Sequence, residues 1–413
     1  MATPKIRLKG FEGEWKEIQS GSLFQPLKNN SLPRAELSDF GFIMNIHYGD
    51  VLIKFCECVE TAKERIPFIA KQEIAESLYK ACPIKNGDII FADAAEDETV
   101  GKCIEIIADE QEKILSGLHT IACRPNIKFA TGYLGYYLNS PAFHDQLLPQ
   151  IQGTKISSIS RKAINNSLIC YPSFNEQSAI ASYFQSLDSL IQTTAKKIES
   201  LKQMKAASLI SMFPQEGETT PKVRFKGFEG EWKNVSAENI FETYNERNRP
   251  DLPVLSANQD IRGMAPRTDT GYNISHNKAN EVTYKVVKPG QFVIHLRSFQ
   301  GGFAHSSTLG ITSPAYTVFG FKQNERQDDY FWKIIFMSKE FIKRLETITY
   351  GIRDGRSISF EEFCSMKFLV PQYEEQVKIS AFFIKIENHL ALHAQRLEKL
   401  KNIKSECLNK MFV

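Results

Sequence analysis

Residues 4–18, PKIRLKGFEGEWKEI, recur almost letter for letter at residues 221–235, PKVRFKGFEGEWKNV. A second pair of segments also repeats. Residues 176–213, EQSAIASYFQSLDSLIQTTAKKIESLKQMKAASLISMF, align without a gap to residues 375–412, EQVKISAFFIKIENHLALHAQRLEKLKNIKSECLNKMF. The chain is therefore one unit written twice, a globular stretch followed by a long helix. Between these paired ends the two globular stretches look unrelated, so one frame carries two different inserts.

Prolines mark the segment boundaries. Pro172 and Pro214 flank the first helical segment, and Pro371 precedes the second. The predicted segments are a globular domain at 1–174, a helix at 175–213, a polar linker at 214–220, a globular domain at 221–373 and a helix at 374–413. The predicted fold class is α+β, with two pseudo-repeated α/β domains separated by two long antiparallel coiled-coil helices.

A stripe of residues along each helix steps by four and three, which is typical of a coiled-coil seam. In the first helix it comprises Leu187, Ile191, Thr194, Ile198, Leu201, Lys205, Ser208 and Met212, and in the second Ile386, Leu390, His393, Leu397, Leu400, Lys404, Cys407 and Met411. Packing onto a globular core, the alternative, would suit a broader stripe and a shorter helix. Polar seam residues such as Lys205 and Lys404 cost stability and can fix the register.

The connectivity predicts how the helices pair. A short linker and a compact second domain favour an antiparallel pair with the globular domains at opposite ends. Helical segments of this length span roughly 57 Å at about 1.5 Å per residue. Because one turn of B-DNA is roughly 34 Å, two domains on such a rod could contact one duplex about one to two turns apart.

Composition excludes several classes of protein. The net charge of +3 neither requires nor excludes nucleic acid. The sequence has no apolar run long enough for a membrane span, and its N-terminus lacks the apolar core of a signal peptide. The eight cysteines are scattered without a CxxC pair, which favours free thiols in a reducing cytoplasm. No metal site is predicted.

Catalytic signatures are missing as well. The sequence has no GxxxxGK[ST] phosphate loop. Residues 313–316, SPAY, echo the (Asn/Asp)-Pro-Pro-(Tyr/Phe) motif of amino-methyltransferases, but the second proline and a cofactor loop are absent, which favours a structural turn. The acidic run DAAEDE at 93–98 is interpreted as a solvated loop rather than a metal site. We therefore expect no catalytic residues in this chain.

The ordered repeats carry a family resemblance. Both helices are entered through a Pro-x-x-x-Glu-Gln motif, at residues 172–177 and 371–376, and both halves open on the KGFEGEW phrase. The strings GLHT at 117–120, GTKIS at 153–157 and GITSPAY at 310–316 also resemble recognition-domain sequences. Over essentially its whole length the chain resembles the specificity subunit (HsdS) of type I restriction-modification systems.

This resemblance implies a non-enzymatic DNA-binding subunit of a methyltransferase/endonuclease complex. Each globular domain would be a target-recognition domain that reads one half of a bipartite sequence, and the helices would set the gap. Two methyltransferase subunits would dock on the helices and methylate adenine with S-adenosylmethionine. Restriction subunits that use ATP and Mg²⁺ would join them. No cofactor is expected in this chain, no membrane partner is implied, and the expected location is the cytoplasm.

Candidate DNA contacts are polar residues in Gly-rich or basic loops, because Arg, Lys, Asn and Gln read base edges and Lys and Arg contact phosphates. In the first domain they are His47, Tyr48, Lys54, His119, Thr120, Thr154, Lys155 and Arg161. In the second they are Asn258, Gln259, Arg262, Arg267, Arg297, Gln300, Arg353 and Arg356. Trp15 and Trp232 occur in both repeats, so we expect them to pack the domains onto the helix ends rather than to read DNA.

Three other interpretations remain open on sequence grounds. The chain could be a two-headed protein-binding scaffold on a coiled-coil spacer. It could also be the specificity module of a related methyltransferase or nuclease system. A self-contained methyltransferase or nuclease is the third, and the missing motifs weigh against it.

Overall fold

The computed structural model describes residues 3–153, 155–258, 263–270, 278–295, 302–348 and 358–413. The chain divides into two compact units. Unit 1 comprises Met1–Lys197 and His393–Val413, and unit 2 comprises Ile198–Leu392. Each unit therefore contains one globular domain, one part of the first long helix and one part of the second.

Unit 1 is built from short strands and helices around two main sheets. Its strands are β1 (Lys16–Gln19), β2 (Phe24–Pro26), β3 (Leu37–Ser38), β4 (Met44–Ile46), β5 (Cys58–Glu60), β6 (Phe68–Ile69), β7 (Ile89–Ala92), β8 (Ala94–Ala95), β9 (Cys103–Ile107), β10 (Ile114–Ser116), β11 (Thr120–Pro125), β12 (Ser157–Ser158) and β13 (Leu168–Tyr171). Its helices are α1 (Ser20–Leu23), α2 (Gln72–Ala81), α3 (Tyr133–Leu138), α4 (Pro141–His144), α5 (Arg161–Asn166) and the start of α6 (Phe174–Ser211).

The central sheet of unit 1 has the strand order β2-β11-β7-β9-β5, and a second sheet has the order β10-β4-β6-β3. In the central sheet only the β5–β9 pair is parallel. The apolar runs of β7 and β9 are buried along most of their length, as expected for a sheet covered on both faces.

Unit 2 repeats this plan with different loops. Its strands are β14 (Lys233–Ser236), β15 (Phe241–Tyr244), β16 (Leu255–Asn258), β17 (Gly263–Pro266), β18 (Lys285–Val287), β19 (Phe292–Ile294), β20 (Phe303–His305), β21 (Gly310–Thr312), β22 (Thr317–Phe321) and β23 (Lys367–Val370). Its helices are α7 (Ala237–Ile240), α8 (Asp329–Phe336), α9 (Lys339–Ile348), α10 (Phe360–Cys364) and the start of α11 (Tyr373–Lys410).

The main sheet of unit 2 has the order β15-β22-β19-β20-β17-β16. Its first five strands correspond in order and direction to β2-β11-β7-β9-β5, including a parallel last pair, β17–β20. The β1–β13 pairing of unit 1 likewise has its counterpart in the β14–β23 pairing of unit 2. The two globular domains therefore share a sheet core that their sequences do not reveal.

Both long helices are present, and each begins and ends two residues earlier than the repeated segments predict. They run Phe174–Ser211 and Tyr373–Lys410. The ends differ because Phe213 and Phe412 leave the helix and turn into the aromatic cores of the units, while the starts follow directly on the Pro172 and Pro371 turns.

The predicted seam is confirmed within each unit. All sixteen stripe residues are buried or half-buried. In unit 1 the hydroxyl of Tyr183 lies 3.3 Å from Sγ of Cys407, and Asp188 contacts Lys404. Residue numbers therefore increase along α6 in the direction in which they decrease along α11. In unit 2 Lys205 contacts Glu387, and the rings of Phe213 and Phe383 lie 6.3 Å apart. The helices pack antiparallel in both units, as predicted.

Candidate DNA interface

Each recognition domain is fastened to its helix by an arginine from the repeated opening phrase. In unit 1 the Arg7 guanidinium donates from Nε and Nη2 to the two carboxylate oxygens of Glu176, both at 2.7 Å. In unit 2 Arg224 makes the same bidentate pair with Glu375, at 2.8 and 2.7 Å. Both glutamates are buried at the first turn of a long helix, where a carboxylate also complements the helix dipole.

The glutamine that follows each of these glutamates completes the anchor. The Gln177 side chain donates to the carbonyl of Pro172 and accepts from the Ala130 amide, both at 3.0 Å. The Gln376 side chain donates to the carbonyl of Pro371 and accepts from the Asp328 amide at the same distances. The Pro-x-x-x-Glu-Gln motif therefore ties each helix start to its own domain.

The repeated tryptophans pack at the helix ends, as expected. Trp15 lies edge-on to Phe412, with ring centroids 6.5 Å apart, and Trp232 lies edge-on to Phe213 at 5.8 Å. Both indoles are buried. The repeated letters thus build the frame in each unit, which leaves the loops beyond the frame to carry any difference in recognition.

In unit 1 the structure brings three of the predicted contact residues together. The Tyr48 ring lies 4.6 Å from the His47 ring and 5.3 Å from the His119 ring, centroid to centroid. This cluster forms where β4 ends and β11 begins. Gly117 permits the approach, because a Cβ there would lie 2.7 Å from Nδ2 of Asn45 and 2.8 Å from the carbonyl oxygen of Ile46.

His119 is held at the surface in a costly conformation. Its φ of 54° lies in the left-handed region, which is uncommon for a residue with a side chain. Nδ1 of His119 lies 3.2 Å from a carboxylate oxygen of Asp93, and about half of the His119 side chain is exposed. A strained backbone at an exposed polar side chain is the pattern of a residue placed for contact.

His47 is a neutral hydrogen-bonding group near neutral pH. Burial lowers the pKa of the His47 imidazole, and the Arg34 guanidinium lowers it further. Nδ1 of His47 accepts from the Gly49 amide at 3.3 Å, so the proton of the neutral ring belongs on Nε2. Arg34 itself is paired with the buried Asp50 carboxylate at 2.9 Å.

The other predicted residues of unit 1 do not join this cluster. Thr120 is buried, and its hydroxyl is bonded to Ser116 Oγ and the Gly117 carbonyl, both at 2.6 Å. Lys54 donates to the Arg65 carbonyl, and Arg161 donates to the Leu27 carbonyl at 3.1 Å. Lys155 is exposed, and Thr154 lies outside the described residues.

An apolar patch in unit 1 gave no recognisable signal in the sequence. Phe40, Phe42 and Ile53 are 86%, 75% and 89% exposed. Asp39, next to Phe40, pairs with Arg65, whose carbonyl accepts from Lys54 next to Ile53. Exposed rings beside cations can contact thymine methyl groups or unstacked bases. Two phenylalanines in the DFGF loop carry none of the Gly-rich or basic pattern by which the candidate contacts were chosen.

In unit 2 two predicted residues lie on one hairpin. Asn258 ends β16, where it pairs with Gly263 at the start of β17. Arg267 follows β17, and its Nε donates to Ser256 Oγ at 3.2 Å. The remaining candidates, Gln259, Arg262, Arg297, Gln300, Arg353 and Arg356, lie outside the described residues.

The part of the chain that the structure describes contains no group of His, Cys, Asp and Glu arranged to hold a metal ion. Over the same residues, no helix has the length and apolar character of a membrane span.

Comparisons with known proteins agree on one family. Residues 12–203 match the model of the type I restriction modification DNA specificity domain. The MjaX type I restriction enzyme specificity subunit of Methanocaldococcus jannaschii is 23% identical over 78% of this chain and 77% of its own length. The crystal structure of a type I restriction-modification S subunit from M. genitalium superposes with a TM-score of 0.58 over 100% of this chain and 99% of that one, at 14% identity.

A further solved chain comes from a study of complex assembly and conformational transition of the type I R-M system. It has a TM-score of 0.50 over 96% of this chain and 97% of its own, at 16% identity. The fold likeness to both structures covers both repeats. Together with the repeated frame, these matches make the chain similar over both repeats to the type I restriction-modification specificity subunits, the chains that supply DNA sequence specificity in those systems.

Proposed function

We propose that unit 1 reads one half of a split DNA target and that unit 2 reads the other. The observation that carries this proposal is the duplicated anchor. Arg7–Glu176 and Arg224–Glu375 hold the same sheet core on each helix start, while the loops around that core differ. A shared frame with different loops suits two readers of different sequences, so the target is asymmetric.

In unit 1 the reading surface centres on Tyr48 and His119, with the buried His47 ring packed against Tyr48. The neutral His47 ring positions Tyr48 without adding a charge to this surface. Lys54, Lys155 and Arg161 lie outside this cluster and are candidate phosphate contacts, and the exposed Phe40 and Phe42 are candidate apolar contacts. In unit 2 the candidate reading surface is the β16–β17 hairpin, with Asn258 and Arg267.

The two long helices set the number of base pairs between the half-sites and dock two methyltransferase subunits. S-adenosylmethionine is bound by those subunits, and ATP with Mg²⁺ by restriction subunits where these are present. Since the target adenine must leave the duplex for methylation, the pocket that receives it belongs to the methyltransferase. The complex works in the cytoplasm, where the chromosome and any invading DNA are accessible.

The experiment is a selection of bound duplexes from a random library by the assembled complex with its methyltransferase subunits. The expected result is a motif of two specific halves and a fixed gap, with affinity that falls steeply as salt rises. Replacing Tyr48 and His119 with alanine should relax base preference in one half only. The control is Lys63→Met, an exposed lysine paired with Glu60.

Two outcomes would contradict the proposal. Equal binding of all duplexes by the assembled complex would favour a protein-binding scaffold. A change in both halves, or in neither, after substitution of Tyr48 and His119 would remove the reading role from this cluster.

A further inference from the structure

Lysines of the helix seam form ion pairs that join both long helices to a recognition domain. In unit 1 the Lys404 ammonium lies 2.7 Å from a carboxylate oxygen of Asp188 on α6 and 2.6 Å from one of Glu57 in the recognition domain. The hydroxyl of Tyr136, on α3, donates to the other Asp188 oxygen at 2.8 Å. All four side chains are largely covered.

Unit 2 has the same arrangement. Lys205 is the repeat equivalent of Lys404, and Glu387 is the repeat equivalent of Asp188. The Lys205 ammonium lies 2.7 Å from a carboxylate oxygen of Glu387 on α11. The other Glu387 oxygen accepts from the hydroxyl of Tyr330, on α8. In unit 1 α11 supplies the lysine and α6 the carboxylate, whereas in unit 2 α6 supplies the lysine and α11 the carboxylate. The duplicated sequence requires this exchange.

Lys404 and Glu387 are charged at neutral pH, while burial raises the pKa of the Asp188 carboxyl against the opposing effect of Lys404. Burial lowers the pKa of the Lys404 ammonium, but the carboxylates of Glu57 and Asp188 outweigh it and the net shift is upward. Burial raises the pKa of the Glu387 carboxyl, but Lys205 and the Tyr330 hydroxyl outweigh it and the net shift is downward. Each site therefore holds opposite charges in direct contact, and their mutual stabilisation is lost when the side chains move apart.

Such a site allows one register. Sliding one helix by a single turn moves it about 5.4 Å and would break the ion pair. The cost is larger in unit 1, where Lys404 and Asp188 are 14% and 13% exposed, than in unit 2, where Lys205 and Glu387 are 33% and 37% exposed. The apolar seam positions around them give no comparable penalty, since one aliphatic contact can replace another. Polar seam residues have this register-fixing effect in other coiled coils.

We propose that Lys404–Asp188–Tyr136 and Lys205–Glu387–Tyr330 are register locks, positioning residues that hold each recognition domain at one axial position on the helix pair. The consequence is a single permitted gap between the half-sites. This inference rests on the proposed function. The lock of unit 1 is the stronger one, because Glu57 gives Lys404 a second carboxylate.

The test uses the assembled methyltransferase complex and duplexes that carry both half-sites with the gap varied one base pair at a time. Lys404→Met keeps the side-chain length and removes the charge. We expect this variant to keep both half-site sequences while its preference for the native gap over neighbouring gaps falls by about tenfold. Lys205→Met should give a smaller fall, and Lys404→Arg should restore most of the preference.

The matched control is Lys401→Met, an exposed lysine of the same helix, which should leave gap preference unchanged. If Lys404→Met does not assemble, Tyr136→Phe carries the test, because it deletes one hydroxyl and predicts a smaller loss of gap preference. Unchanged gap preference in the assembled lock variants, even with lowered thermal stability, would overturn the locks. Loss of half-site preference in the wild-type complex would instead overturn the proposed function.

Discussion

At the scale of single residues, residues of the two repeated segments contact one another. The arginine of the opening phrase and the glutamate of the helix entry are far apart in sequence, yet they meet as Arg7–Glu176 and Arg224–Glu375. The repeat made both segments recognisable, but sequence spacing could not show that they contact one another. A buried charge without a partner destabilises the fold, so removal of one residue of either pair costs more than removal of both.

Arg224→Met should destabilise unit 2 by about 3 kcal/mol, because it leaves the buried Glu375 carboxylate without its partner. The double variant Arg224→Met/Glu375→Met should recover most of that loss, since no unpaired charge remains. Urea denaturation of the two variants and of the exposed control Lys222→Met measures this. A double variant no more stable than the single one would contradict the interpretation.

Glu105 makes the free energy of unfolding of unit 1 depend on pH. Burial raises the pKa of its carboxyl to about 7, against the amides of Gly132 and Gly135, which donate to it at 2.6 and 2.9 Å and lower the pKa. The folded pKa exceeds the unfolded one, so the unfolded chain releases the proton first and stability falls as pH rises between the two values.

Compared with Glu105→Gln, the wild type should therefore be more favoured at pH 5 than at pH 8, by up to about 3 kcal/mol in free energy of unfolding. Urea titrations of both proteins at the two pH values give this difference in free energy of unfolding. The contributions of the other ionisable groups are the same in both proteins and cancel. A difference that does not change with pH, or that changes in the opposite direction, would contradict a raised pKa.

At the scale of elements, periodicity predicted the helices well and the sheets poorly. The 4-3 stripe fixed the seam to the residue, and the two-residue shift of the ends follows from Phe213 and Phe412 turning into the cores. The shared sheet order of the two domains was not visible, because a buried strand needs only apolar side chains and many sequences supply them. In the loop 39–43 the two-residue spacing of Phe40 and Phe42 is that of a strand face, yet both side chains are exposed.

Phe412→Ala should destabilise unit 1 by about 3–5 kcal/mol, as removal of a buried aromatic ring does elsewhere. The Phe412 ring contacts those of Trp15, Tyr133, Tyr137 and Phe184, with centroids 5.6–6.5 Å apart. Phe174→Ala is the control, because Phe174 begins the other long helix and is 46% exposed. Equal midpoints of urea denaturation for the two variants would show that the end of α11 is not part of the core.

At the scale of the whole molecule, the duplication explains the division of labour. The repeated segments build the anchors and the helix pair, and the segments between them differ. The sequence predicted this organisation and the resemblance to specificity subunits. It could not group the candidate contacts, because only the fold brings His47, Tyr48 and His119 into one cluster. Thr120, in the same string, is instead used inside the domain.

Inserting one heptad in each long helix should lengthen the gap and leave both half-sites unchanged. The insertions belong between Asp188 and Lys205 in α6 and between Glu387 and Lys404 in α11, so that the seam register and both ion-pair sites are preserved. Seven residues add about 10 Å, which is about three base pairs. Duplex selection by the assembled variant measures the gap, and altered half-sites with a constant gap would contradict the helices' spacing role.

The central claim is that this chain supplies the sequence specificity of a methyltransferase complex through two different readers. Its most direct test is a base-resolution methylome of cells that express the chain with its methyltransferase subunits, against the same cells without the chain. We expect methyladenine in both halves of a split, asymmetric motif with a single gap, present only when the chain is expressed. Methylation that does not depend on the chain, although the complex assembles, would contradict it.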